Sequence, residues 1–184
     1  MEKTTQLYTI DKVLQMEIPQ FIFFWGNRKS AKGVTRTCFS QWYECDFVID
    51  GIAYRCAEQF MMAEKARLFG DEENLQKILV AKTPKTMKAL GRKVKGYDAE
   101  LWNAHKFEIV VKGNIAKFSQ NEDLKSFLRS TADKVLVEAS PYDQIWGIGM
   151  KATDEGVNDP HQWKGTNLLG FALMQVRDLL TEMA

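Results

Sequence analysis

The spacing of apolar and polar positions changes character along the chain. The first third alternates like strands and the remainder repeats like helices. Phe21-Ile-Phe-Phe-Trp25 is a run of large, β-favouring residues. Residues 26–37 are polar and predict a loop. Phe47-Val-Ile49 predicts a short strand, Asp50-Gly51 a tight turn, and Ile52-Ala-Tyr54 the return strand of a hairpin. Residues 57–69 are good helix formers, stopped by Gly70. Asp71 predicts the cap of a second helix running to Val80. Thr83-Pro84 supplies a cap and a first-turn proline for a third, ending near Gly91. Asp98 predicts the cap of a long fourth helix over about 99–118, where Leu101, Trp102, Ile109, Ile115 and Ala116 follow helical spacing loosely. Asn121 predicts the cap of a fifth helix reaching Arg129. Val135-Leu-Val137 predicts another strand. Residues 140–165 are polar, Gly-rich and aperiodic, and a connection of that length is often functional. A helix over about 167–182 closes the chain. Strands, then helices, then one strand and a helix indicate an α+β fold, mostly helical with a small antiparallel or mixed sheet.

Composition narrows the picture only a little. The 184 residues suit one domain. No repeat, low-complexity tract or linker interrupts residues 19–184, and residues 1–18 read as a short leader. A formal net charge of +1 argues against nucleic-acid binding driven by bulk charge, while leaving room for a local basic patch. The cysteines Cys38, Cys45 and Cys56 are odd in number and fit no zinc spacing, which suits a reducing compartment. With two histidines, a His-rich metal site is nearly excluded. The first twenty residues carry charges throughout and lack a signal-peptide core, and no stretch is apolar enough to span a bilayer. The default expectation is a cytoplasmic protein with no membrane partner; the oligomeric state is left open.

Chemistry enters with Ala57-Glu-Gln-Phe-Met-Met-Ala-Glu-Lys65-Ala. On a helix, Glu58 and Lys65 lie seven residues apart and nearly in line, flanked by Gln59 and Met62. One reading is a first-turn carboxylate favoured by the helix dipole and a solvated lysine. The sharper reading is a lysine held against apolar neighbours, which loses proton affinity and can attack a sugar aldehyde carbon, with the carboxylate moving protons. The segment Pro141-Tyr-Asp143-Gln-Ile-Trp146-Gly147-Ile-Gly149 places an acid, an aromatic and two glycines after a strand. Glycines let backbone approach a ligand and their amides can hold phosphate, although a plain turn with a core tryptophan fits as well. Trp163-Lys-Gly165-Thr-Asn167-Leu-Leu-Gly170 leads into the last helix, capped by Thr166 or Asn167, and offers either ordinary capping or an anion site. Trp102 is a core residue or a platform for a base, and His105 three residues on belongs to the surface. Ser40, Cys45 and Cys56 are weak candidates as nucleophiles.

Taken together, these stretches, with Phe39-Ser-Gln-Trp-Tyr43, Phe69-Gly-Asp71 and Gly91-Arg92, resemble the NADAR (YbiA-like) family across most of the chain. The resemblance implies a small α+β domain that hydrolyses N-glycosidic bonds without a metal or cofactor. Implied substrates are ADP-ribose on modified guanine bases, including ADP-ribosylated nucleic acid, or ribosylaminopyrimidine phosphates of riboflavin synthesis. A non-catalytic ADP-ribose or nucleotide binder is the alternative of another class, and retention of Glu58 and Lys65 argues against it. By resemblance Glu58 and Lys65 form the reactive pair. Asp143, Trp146 and Gly147 become pocket residues, and Asn167 lines the anion side. Glu58, Lys65, Asp143 and Trp146 are expected to share one pocket with Asn167 at its rim. In a route without a covalent step, Glu58 and Asp143 divide the acid and base roles. Cys56 departs from the Ser or Thr usual at its position, which puts a hydroxyl cap on the Glu58 helix in doubt.

Overall fold

Asp50 and Gly51 both take positive φ, 52° and 77°, the backbone that a two-residue hairpin turn demands. They join β1 (Phe47–Ile49) to β2 (Ile52–Tyr54), antiparallel with Phe47 opposite Tyr54. The computed structural model describes residues 5–182. Its chain forms two compact units, one of residues 41–121 and one of residues 1–40 with 122–184.

The first unit sets the hairpin beside four helices: α1 (Ala57–Leu68), α2 (Glu72–Val80), α3 (Pro84–Gly91) and α4 (Ala99–Ser119). The sequence signals for these helices act as expected. Asp71, Thr83 and Asp98 each accept a hydrogen bond from the backbone N–H three residues on, at Asn74, Thr86 and Leu101. Cys56 precedes α1 and gives no side-chain cap, as the loss of a hydroxyl there predicts. Its thiol instead points to Met87 Sδ at 3.6 Å, and burial pushes its pKa up to about 11. α1 is buried almost all round from Ala57 to Ala63. Two glycines admit its large side chains. A Cβ on Gly91 would overlap Met62, and one on Gly113 would stand 2.6 Å from Phe60. Gln120 closes the hairpin edge by bonding both the N–H and the carbonyl of Val48 at 2.8 Å.

Asn121 differs from its expected role as a cap. Its amide donates to the carbonyls of Lys117 and Asp46, so it ties the end of α4 to the hairpin. The core face of α4 also differs from its apparent apolar spacing. Of the five residues in that pattern only Trp102 is buried. The buried stripe runs through Val110, Val111, Gly113, Asn114, Lys117 and Phe118, and its two polar members hide it from a hydrophobicity count.

The second unit is organised on a parallel pair, β3 (Phe21–Phe24) and β4 (Val135–Glu138), in register Phe21 to Val135. Fully buried Val135, Leu136 and Val137 form its centre. α5 (Glu122–Arg129) precedes β4, and α6 (Leu168–Glu182) packs on it, with every residue from Leu168 to Arg177 buried. A five-residue helix, Ile10–Leu14, was not legible in the pattern. It lies in the expected leader, of which residues 1–4 are outside the described residues. The rest of that segment is bonded to α6: Leu7 N–H donates to Gln175 Oε1, Gln175 Nε2 to the Thr5 carbonyl, and the Tyr8 hydroxyl to Asp178. Seven helices and two separate two-stranded sheets among the described residues make the fold α+β.

Candidate active site

Glu58 enters α1 in its first turn and is 3% exposed. Its N–H donates to the Gln41 carbonyl at 2.9 Å. Gln59 is spent on the fold: Oε1 accepts from Arg55 N–H, and Nε2 donates to the carbonyls of Ile78 and Leu79. Lys65 stands two turns on, a rise of ~10 Å.

The Lys65 amine lies 4.3 Å from the Tyr97 ring centroid and 5.5 Å from that of Trp102. No hydrogen bond or ion pair engages it among the described residues. Two effects oppose each other here. The ring faces attract the ammonium, typically by ~0.5–1 kcal/mol at exposed sites. Burial penalises the charged form and sets the direction, holding the amine below the ordinary lysine value. The structure therefore joins Lys65 to Trp102, which the sequence had left as separate features. It also adds Tyr97, half exposed and stacked edge-on against Phe69 at 5.4 Å.

α4 contributes two residues that sequence reasoning passed over. Asn114 and Lys117 are both fully buried. The Lys117 amine lies 5.0 Å from the Phe118 ring and 5.7 Å from Tyr43. Lys117 and Glu58 act on the Cys56 thiol in opposite senses, Lys117 lowering its pKa and Glu58 raising it. Polar residues at the i+4 and i+7 positions from a buried valine were the available signal, since lysines are almost never fully buried without a partner.

In the second unit, Asp143, Trp146, Gly147, Gly149 and Asn167 also come together, but as a self-satisfied loop. Asp143 Oδ1 accepts from the N–H groups of Ile145 and Trp146 at 2.9 and 2.7 Å, and its carbonyl accepts from Gly149. A Cβ on Gly147 would stand 2.8 Å from the Glu138 carbonyl. Gly149 has φ 65° and gives its amide to Asp143. Both glycines have a role in the loop's own packing. Asn167, expected at an anion site, is fully buried with φ 52°. Its Oδ1 accepts from Glu138 N–H and its Nδ2 donates to the Leu136 carbonyl, clamping the end of β4. Thr166 Oγ1 donates to the Ile145 carbonyl, so neither residue caps α6 with its side chain. The first amides of α6, at Leu168 and Leu169, donate to the carbonyls of Ile145 and Trp146. The anion site expected there is filled by the protein's own backbone.

His105 is half-buried on α4. Among the described residues no cluster of three or more His, Cys, Asp or Glu could hold a metal ion, and no helix is long and apolar enough to cross a membrane.

Residues 23–181 match the NADAR domain. The chain is 45% identical over 169 residues to N-glycosidase R617 of Acanthamoeba polyphaga mimivirus, covering 89% of this chain and 98% of the relative. It is 29% identical to N-glycosidase YbiA of Escherichia coli, covering 77% and 80%. It is 34% identical to the chloroplastic riboflavin biosynthesis protein PYRR of Arabidopsis thaliana, covering 66% of this chain but 18% of that longer protein. The solved structure of E. coli YbiA superposes with a TM-score of 0.71 at 24% identity, covering 100% of this chain and 95% of the other, and shares its fold.

Proposed function

The chain belongs to the NADAR family and is a hydrolase acting on N-glycosyl bonds, and from that premise we propose that it removes ADP-ribose from modified guanine bases, with Lys65 as nucleophile and Glu58 as acid and base. One observation carries the reading. The Lys65 amine has no carboxylate partner among the described residues, is disfavoured in its charged form by burial, and is faced by the Trp102 and Tyr97 rings.

The chemistry follows from the bond to be broken. The ribose anomeric carbon carries a ring oxygen and a base nitrogen. Protonation of the ring oxygen by Glu58 opens the ring and leaves an iminium at that carbon. The neutral Lys65 amine adds to the carbon. Its surplus proton passes to the base nitrogen, the carbon–nitrogen bond breaks, and the base departs as a neutral amine. A Schiff base to Lys65 remains. Water activated by the Glu58 carboxylate adds to it, the amine leaves, and the sugar recloses. One water is consumed in total.

The PYRR-named relatives favour a second substrate, the ribosylaminopyrimidine phosphates, through the same steps with a different leaving group. A rival route has no covalent intermediate and needs a carboxylate to activate water, the role that the resemblance allows for Asp143. Two backbone amides already occupy Asp143 Oδ1, which supports the covalent route. Incubation with ADP-ribosylated guanosine DNA and, separately, with ribosylaminopyrimidine phosphates is expected to release base from the first. Release from the second alone exchanges the substrate assignment. Borohydride added during turnover is expected to trap a sugar adduct on Lys65. Turnover without an adduct retires the covalent step.

A further inference from the structure

Gln41 and Asn114 form an amide pair whose orientation is dictated by a third group. Asn114 Nδ2 donates to the Val110 carbonyl and to Gln41 Oε1, both at 2.8 Å. A carbonyl only accepts, so Asn114 must turn its nitrogen toward Val110. Gln41 must then present its oxygen to that nitrogen. The assignment leaves Gln41 Nε2 and Asn114 Oδ1 buried without a hydrogen-bond partner among the described residues. Gln41 is 7% exposed and Asn114 0%. Buried polar atoms are nearly always bonded, and here one open donor accompanies one open acceptor. The Gln41 carbonyl also receives the Glu58 N–H, which fixes the pair to the first turn of α1.

The open donor and the open acceptor belong to two hydrogen-bonded side chains and match the two faces of a hydroxyl, which accepts at its oxygen and donates its hydrogen. We propose that Gln41 and Asn114 are a hydroxyl-binding subsite of the active site, Nε2 donating to the hydroxyl oxygen and Oδ1 accepting its proton. The assignment rests on the reading of the Glu58 helix as the N-glycosidase centre. The hydroxyl has two sources, a ribose hydroxyl of the substrate or the hydrolytic water.

The decisive variant is Gln41→Met/Asn114→Leu, which replaces both amides with apolar side chains of similar length. Replacing both partners of a buried pair together is close to neutral for folding, so a purely structural pair predicts a folded, fully active protein. A sugar-binding pair predicts that calorimetric binding of ADP-ribose or ribose 5-phosphate weakens by about tenfold or more. With 2-deoxyribose 5-phosphate as probe, the variant and the wild type converge if the 2-hydroxyl is the one held. A water-binding pair predicts unchanged product binding and a kcat lower by about 10²–10³-fold. Unchanged binding together with unchanged kcat overturns the subsite. A wild type that turns over neither substrate retires the substrate reading, and product binding then decides the subsite alone, with unchanged binding overturning it. If the double variant does not fold, Gln41→Met keeps the Asn114–Val110 bond and carries the same comparison.

Discussion

The helix pair α1–α4 and the segment from Pro141 to Gly170 hold the two most distinctive motifs of the chain, yet several of their polar side chains are held in opposite ways. In the segment, Asp143, Thr166 and Asn167 all bond to backbone of their own unit, and the opening amides of α6 do the same. On α1 the Lys65 amine has no hydrogen-bond partner among the described residues, and Asn114 of α4 and the loop residue Gln41 hold open buried atoms. Buried polar groups are nearly always bonded, so the open ones beside α1 are those that the proposed reading assigns to a ligand. The glycines divide likewise. A Cβ on Gly165 would stand 2.6 Å from Gln144 Cα, and one on Gly170 would overlap the Leu136 carbonyl. Much of the Trp163–Gly170 motif is therefore explained by chain packing against chain, with no ligand required.

The harshest way to test this division is Lys65→Arg. The guanidinium keeps the charge but stays protonated, so turnover and borohydride trapping are both expected to fall to background. A thermal melt should find the protein folded, because among the described residues the side chain has no hydrogen bond or ion pair to lose. An arginine variant that keeps substantial activity turns Lys65 into an electrostatic contact. The pH profile sharpens the same point. The neutral amine is the reactive form, so wild-type kcat/KM should rise with pH as Lys65 loses its proton, with an inflection below the ordinary lysine value.

Next in size is Glu58→Gln, which preserves shape and removes proton transfer. Turnover should fall by about 10²–10⁴-fold, read on protein whose melt establishes folding.

Local physics was legible in the sequence and long-range pairing was not. Asp71, Thr83 and Asp98 cap their helices because a cap depends on residues three apart, and Asp50-Gly51 turns because two residues suffice. The alignment of Glu58 and Lys65 follows from helix geometry alone. Nothing local announces that β3 pairs in parallel with β4 more than a hundred residues later, or that Asn167 bonds Leu136 and Glu138 instead of capping α6. Asn114 and Lys117 stayed hidden because they occupy core positions of α4 with polar side chains, which is where a hydrophobicity pattern fails.

A smaller effect, on stability rather than chemistry, is expected at the other region. Gly170→Ala drives a methyl into the Leu136 carbonyl, where overpacking typically costs ~1–3 kcal/mol. At this chain length each kcal/mol lowers Tm by about 2–4 °C. Turnover per folded molecule at low temperature should be unchanged. A large loss of kcat at unchanged Tm would place chemistry where the comparison finds only packing.

The smallest expected effect is the most discriminating, because it repeats the Glu58 exchange on the second carboxylate. Asp143→Asn retains an Oδ1 that accepts from the Ile145 and Trp146 amides, so the loop keeps its two bonds. Stability should fall by less than ~1 kcal/mol, the difference between a charged and a neutral acceptor. Asp143→Ala removes the acceptor altogether and should cost more, about 1–2 kcal/mol for the two lost bonds to solvent-reachable amides. If Asp143 holds the loop, turnover follows this order, with asparagine near wild type and alanine lower. If Asp143 activates water, asparagine is as inactive as alanine, at the ~10²–10⁴-fold loss of a missing base. The ratio of the two variants separates the roles without reference to absolute activity, since the amide keeps the geometry that a loop needs and lacks the basicity that a water needs.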